Sequence, residues 1–148
     1  MTFQEEYDII TVDVKSKEMD EVSMFDNYIT FNFEEGVPYV SITKNGVTFN
    51  KAVIMKLGYP EHVVLLINSA EKIIAIKSCQ AEAPNSTTFY KENPKGILSV
   101  RWNAKDLLNT LQDITSWDLS QDAFRIDGCL VKEENAMIFD LKSAKKLS

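Results

Sequence analysis

A pattern of strand, capped helix and hairpin is written twice in this sequence, and a repeated unit restricts the architectures open to a chain more than composition does. In the first copy Lys44-Asn45-Gly46 is a turn, because Asn-Gly tolerates the positive φ angles of tight hairpins. Val47-Thr48-Phe49-Asn50 follows, then a short helical stretch over 51–57 that Gly58 ends and Pro60 cannot continue. Two strands come next, over 62–67 and 72–77, joined by a turn over 68–71. The second copy begins 53 residues later, with Val100-Arg101-Trp102-Asn103 matching Val47-Thr48-Phe49-Asn50 and a helix expected over 104–111. Asn50 and Asn103 each stand at a helix N-cap, where a side-chain oxygen can take up an orphan amide of the first turn. The aromatic before each cap can pack on the fourth helical residue, Phe49 on Ile54 and Trp102 on Leu107. Paired strands recur over 123–126 and 129–131, then 136–141.

This spacing predicts an α+β, mainly β fold in which two β-α-ββ units form one pseudo-twofold barrel. The chain's 148 residues suit one domain. It divides into an acidic N-terminal region, 1–36, a first unit, 37–79, a linker, 80–95, and a second unit, 96–148. The first region also holds Ile9-Ile10-Thr11-Val12-Asp13-Val14, β-branched enough for a strand, and Tyr28-Ile29-Thr30-Phe31-Asn32-Phe33, which alternates like a half-buried one. These N-terminal strands are expected to complete the barrel or cover an edge. The aromatics of the 80–95 linker are expected to tuck beneath it, and one chain is expected to close the barrel by itself.

The net charge of −6 at first argues against a polyanionic partner. Residues 1–36 alone carry ten acidic groups and two lysines, so the remaining 112 residues are net +2. The charge therefore leaves nucleic acid open as a partner and poses the acidic region as an internal competitor. No apolar run approaches the ~20 residues of a membrane span, and the first residues lack the cationic start and apolar stretch of a signal peptide. No membrane association is expected, and the location expected is cytoplasmic. Cys79 and Cys129 are too few and too far apart for a disulfide framework or a metal site and read as free thiols.

The segment from Thr43 through Lys44-Asn45-Gly46, the capped helix and Leu57-Gly58-Tyr59 resembles the start of an AbrB or SpoVT type swapped-hairpin domain, and the hairpin after it continues the likeness. Tandem units in one chain resemble the arrangement in MraZ proteins. The resemblance implies a bacterial transcription regulator that binds DNA through basic residues near the hairpin turn and helix start. The departures are Val47 where the family's strand commonly begins with Arg, and Asn50 in place of the Pro before the helix. Residues left to contact DNA are Lys44, Asn45, Lys51 and Lys56 in the first copy and Arg101 and Lys105 in the second. Such cations release counterions from phosphates, whereas base readout favours Arg and Asn in bidentate geometry, as Arg101, Asn45 and Asn50 could offer. Each lysine alone also reads as an ordinary solvated residue. The competing function is a protein-interaction or self-association module, which scattered lysines and an exposed apolar patch would favour.

Catalytic signatures are sparse. His62 is the single histidine, no nucleophile elbow or phosphate-cradling glycine loop occurs, and no spacing suits a metal. No enzyme activity, cofactor, metal or small-molecule ligand is therefore expected. A hydrolase around His62 would need that residue to line a pocket beside a carboxylate and a nucleophile.

Overall fold

The structure is a computed structural model that describes residues 24–28, 30 and 36–147. The strand expected over 9–14, most of the one over 28–33 and the acidic residues before Met24 lie outside the described residues. The chain forms two compact units, Met1–Phe33 and Glu34–Ser148. In the first, the Tyr28 amide donates to the Phe25 carbonyl at 2.9 Å, and their rings meet edge to face at 5.2 Å.

The second unit is mainly β with two helices. Its elements are β1 (Tyr39–Thr43), β2 (Gly46–Phe49), α1 (Lys51–Lys56), β3 (His62–Asn68), β4 (Ile73–Ser78), β5 (Thr87–Thr88), β6 (Val100–Trp102), α2 (Lys105–Thr115), β7 (Ala123–Val131), β8 (Ala136–Asp140) and β9 (Lys145–Leu147). The strands make one antiparallel sheet in the order β5-β3-β4-β8-β7-β1-β2-β6, with β9 also paired to β7. Alternation builds the core: Val40, Ile42, Val47, Phe49, Val63, Ile74, Ile76, Ile126, Met137 and Phe139 all point inward and are buried. The sheet curls until its two end strands approach, and the Trp102 indole N–H on β6 donates to the Thr88 carbonyl on β5 at 3.2 Å. No ladder joins β5 to β6, so the curl is incomplete.

Three ladders join strands of residues 37–79 to strands of residues 96–148. Strand β2 pairs with β6, with Thr48 opposite Arg101, and β4 pairs with β8, with Ile74 opposite Phe139. In the same sense β1 lies beside β7, while β5 lies beside β3.

The helices depart from the expected pattern. Asn50 caps α1 as anticipated, its Oδ1 accepting the Val53 amide at 3.3 Å, and the chain leaves the helix through Gly58 and Tyr59 at positive φ. Asn103 does not cap α2. The cap residue is Ala104, which offers no side-chain bond, and Asp106 in the first turn complements the helix dipole instead. Helix α2 also outruns 104–111, ending at Ser116 with φ +66°. Trp102 turns towards Phe49 (5.0 Å between centroids) and Phe89 (6.1 Å), part of the aromatic core. Finally, the strands expected over 123–126 and 129–131 are one nine-residue strand, β7. Asp127-Gly128 makes no turn there; the missing Cβ lets Gly128 lie against the Met137 and Phe139 side chains, which a Cβ would approach to 2.7 and 2.8 Å. In the 80–95 linker Phe89 is buried, edge on to Phe49 at 5.4 Å.

Candidate functional site

The ribbon of β2 and β6 gathers most of the cations singled out in the sequence. Thr48 and Arg101 face each other across it on the outward side, and Arg101 Nε donates to Thr48 Oγ1 at 3.2 Å. The turn that starts β2 sets Lys44 and Asn45 in solvent, with the Asn45 amide donating to Thr43 Oγ1 at 3.0 Å. Gly46 then passes so close to β6 that a Cβ would stand 2.7 Å from the Trp102 carbonyl oxygen. The turn therefore lies against the end of β6, three residues before exposed Lys105 opens α2. Lys44, Asn45, Arg101 and Lys105 share that end.

Lys51 does not. It follows the far end of β2, about 14 Å away at the ~3.4 Å rise of an antiparallel strand. Lys56 ends α1 and is half-buried, away from the turn. Asn50 is unavailable to read bases because both ends of its amide are engaged. Its Oδ1 accepts the Tyr39 amide at 3.0 Å and its Nδ2 donates to the Val37 carbonyl at 2.8 Å. The strand sequences of β1, β2 and β6 contain no carboxylate; the nearest in sequence are Glu35 and Asp106. By contrast Lys77, Arg125, Lys142, Lys145 and Lys146 each lie within 4.0 Å of a carboxylate oxygen. The Lys142 ammonium and amide beside Asp140 hold its carboxyl below the ordinary carboxylate range.

Among the described residues two concavities bear on a site. A groove of about 620 Å³ runs along the open seam, walled by Leu65, Asn85, Phe89, Trp102, Asn103 and Leu107, with Arg101 at its rim. Sequence reasoning gave Asn103 a capping role and so missed its place in this groove; its recurrence 53 residues after Asn50 was the available signal. A smaller cleft of about 380 Å³ brings His62 together with Glu61, Ser78, Cys79 and Glu82. It meets the requirement in residue types for a His62 pocket. Yet the link between His62 and Cys79 is through the backbone, amide to carbonyl at 3.1 Å, and Ser78 Oγ is buried without a hydrogen-bond partner. A base must hold its nucleophile within hydrogen-bond reach to activate it, and no such bond joins these side chains. Among the described residues no group of three or more His, Cys, Asp and Glu could hold a metal ion, and no helix is long and apolar enough to cross a membrane. A scan against protein-family models, a search of curated proteins and a search of solved structures each found no match for this chain.

Proposed function

We propose that this chain is a non-enzymatic, DNA-associated regulator in which two copies of one β-α-ββ unit share a pseudo-twofold sheet and the β2–β6 ribbon meets the duplex. One observation carries the reading: Lys44, Arg101 and Lys105 come together on a ribbon without carboxylates, with Lys51 at its other end. Cations without a carboxylate partner among the described residues are the ones able to displace phosphate counterions. The resemblance to swapped-hairpin regulators points to the same turn and helix start. The repeat is supported by the pairing of matching strands, β2 with β6 and β4 with β8.

Titration of a fluorescent 25-base-pair duplex by anisotropy tests this. About four phosphate contacts predict an affinity that falls about 100-fold between 50 and 200 mM salt. The double variant Lys44→Glu, Arg101→Glu should abolish the signal at 50 mM salt. Removal of residues 1–36, with ten acidic groups, should strengthen binding. No binding at low salt, with or without those residues, overturns the proposal.

A protein-interaction module is the second reading, favoured by the outer edge of β3. Among the described residues only His62 and Val63 are paired there, leaving the rest of the edge open beside Leu66 and Ile67, which are 49% and 39% exposed. Edges this apolar are templates for another strand.

A further inference from the structure

The two halves of the sheet treat one strand position differently. In the first half β1 fills the place between β2 and β7, pairing with Phe49–Gly46 on one side and with Asp127–Phe124 on the other. Its inward Val40 sits between Phe49 and Ile126, and its outward Ser41 lies between Thr48 and Arg125. Asn50 then grips the start of the strand by its backbone, accepting the Tyr39 amide and donating to the Val37 carbonyl.

In the second half the matching place lies between β6 and β3, and it is nearly empty. Strand β5 is two residues long and pairs only with His62 and Val63. Before it the chain turns away through Pro84 and Asn85, the latter at φ +62°, and the Ser86 amide closes on the Ala83 carbonyl. Among the described residues, the edge of β3 from Val64 onward and the outer edge of β6 are thus left without a strand between them. The residues that would receive one are present. Arg101 and Thr48 are 53 residues apart and stand opposite each other, so the same offset sets Trp102 where Phe49 stands, and Asn103 where Asn50 stands. Leu65, Trp102 and Asn103 all wall the groove of about 620 Å³ at this place. Asn103 makes no side-chain hydrogen bond among the described residues, so the amide equivalent to the one that clamps β1 has nothing to clamp.

We propose that this groove is a strand-binding slot that takes an extended acidic peptide segment of a partner protein by β-addition. The occupant runs between β6 and β3 as β1 runs between β2 and β7, with an aliphatic residue seated against Leu65 and Trp102 and its backbone N–H and C=O held by the Asn103 amide. Main-chain pairing supplies affinity in such binding, and the alternating side chains supply selectivity. Its charge follows from the register. The outward residue corresponding to Ser41 falls beside Arg101, with exposed Lys105 at the same end, and the groove wall carries no carboxylate to oppose them. An acidic side chain at that position complements both cations.

The inference rests on the matching of β2 with β6 and of Asn50 with Asn103, and not on DNA binding. The test uses the full chain and a labelled peptide copying residues 37–43 with Ser41→Glu, since that strand fills the matching place. Saturable anisotropy is expected at micromolar peptide, weakened at least tenfold by Asn103→Leu, which removes no contact seen here. Amides of Val64–Leu66 should exchange more slowly when the peptide is bound. The peptide with Ser41 unchanged should bind several-fold more weakly, and equal affinity would overturn the acidic preference. No saturation up to ~1 mM, or binding indifferent to Asn103→Leu, overturns the slot. Asn103→Leu leaves every cation in place, so duplex binding should survive it, and a failure of either reading is visible separately.

Discussion

Asn50 and Asn103 show how much one residue's meaning depends on what arrives beside it. The sequence supports the same reading for both, a cap before a helix. At position 50 that reading holds and is incomplete, because the amide also ties down Tyr39 and Val37, residues eleven and thirteen positions earlier. No local pattern carries those two bonds. At position 103 the cap is absent, since α2 begins one residue later than its counterpart and Ala104 takes the cap position. Replacing the two residues should therefore have unequal effects. Asn50→Ala removes three hydrogen bonds at a partly buried site and should cost about 2–3 kcal/mol, whereas Asn103→Ala should lie within about 0.5 kcal/mol of the parent. Paired urea titrations of the two variants measure this, and equal losses would mean that Asn103 caps α2 in solution.

At the scale of elements, strand alternation was the most legible signal. Val40 and Ile42, Val47 and Phe49, Ile74 and Ile76 are inward as period two requires. The hairpin of β3 and β4 stands where the turn residues put it, with Asn68 Oδ1 accepting the Glu71 amide. The continuity of β7 was illegible because Asp-Gly is a turn signal locally and a close-packing device here. Gly128 is needed for what lies over it, and its neighbours come from β8. Gly128→Ala should destabilise by about 1–3 kcal/mol, since the Phe139 ring and Met137 must both shift. Thermal unfolding of the variant checks this, and an unchanged midpoint would show that the contact is looser than drawn. The candidate surface was legible only in part. Residue types and their closeness in sequence to a turn suggested Lys44, Asn45, Arg101 and Lys105, but only the β2–β6 register brings the two pairs together and leaves Lys51 at the other end. The groove depends on a strand that stops short, and composition carries no trace of that.

Across the described residues as a whole, the strands of residues 37–79 make no continuous sheet of their own. The hairpin of β1 and β2 and the hairpin of β3 and β4 are separated in the sheet by β8 and β7, which come from residues 123–140. A chain ending at Cys79 keeps both hairpins but loses the strands between them, and two-stranded hairpins are marginal in water. Such a truncation should be unfolded, or should dimerise to replace the missing strands. Size-exclusion chromatography with circular dichroism distinguishes these outcomes from a folded monomer, which would refute the shared sheet.

The same strand order has a consequence for synthesis on the ribosome. Residues 39–78 emerge first, yet the ladders that join their hairpins wait for β7 and β8. At about 5–20 residues per second, the roughly 60 residues from Cys79 to Asp140 take about 3–12 s to translate. For that interval the apolar Ile73–Ser78 strand, which later pairs with β8, has no partner beyond its own hairpin. The growing chain is most vulnerable to sticking to another nascent copy then, before its last third has been made.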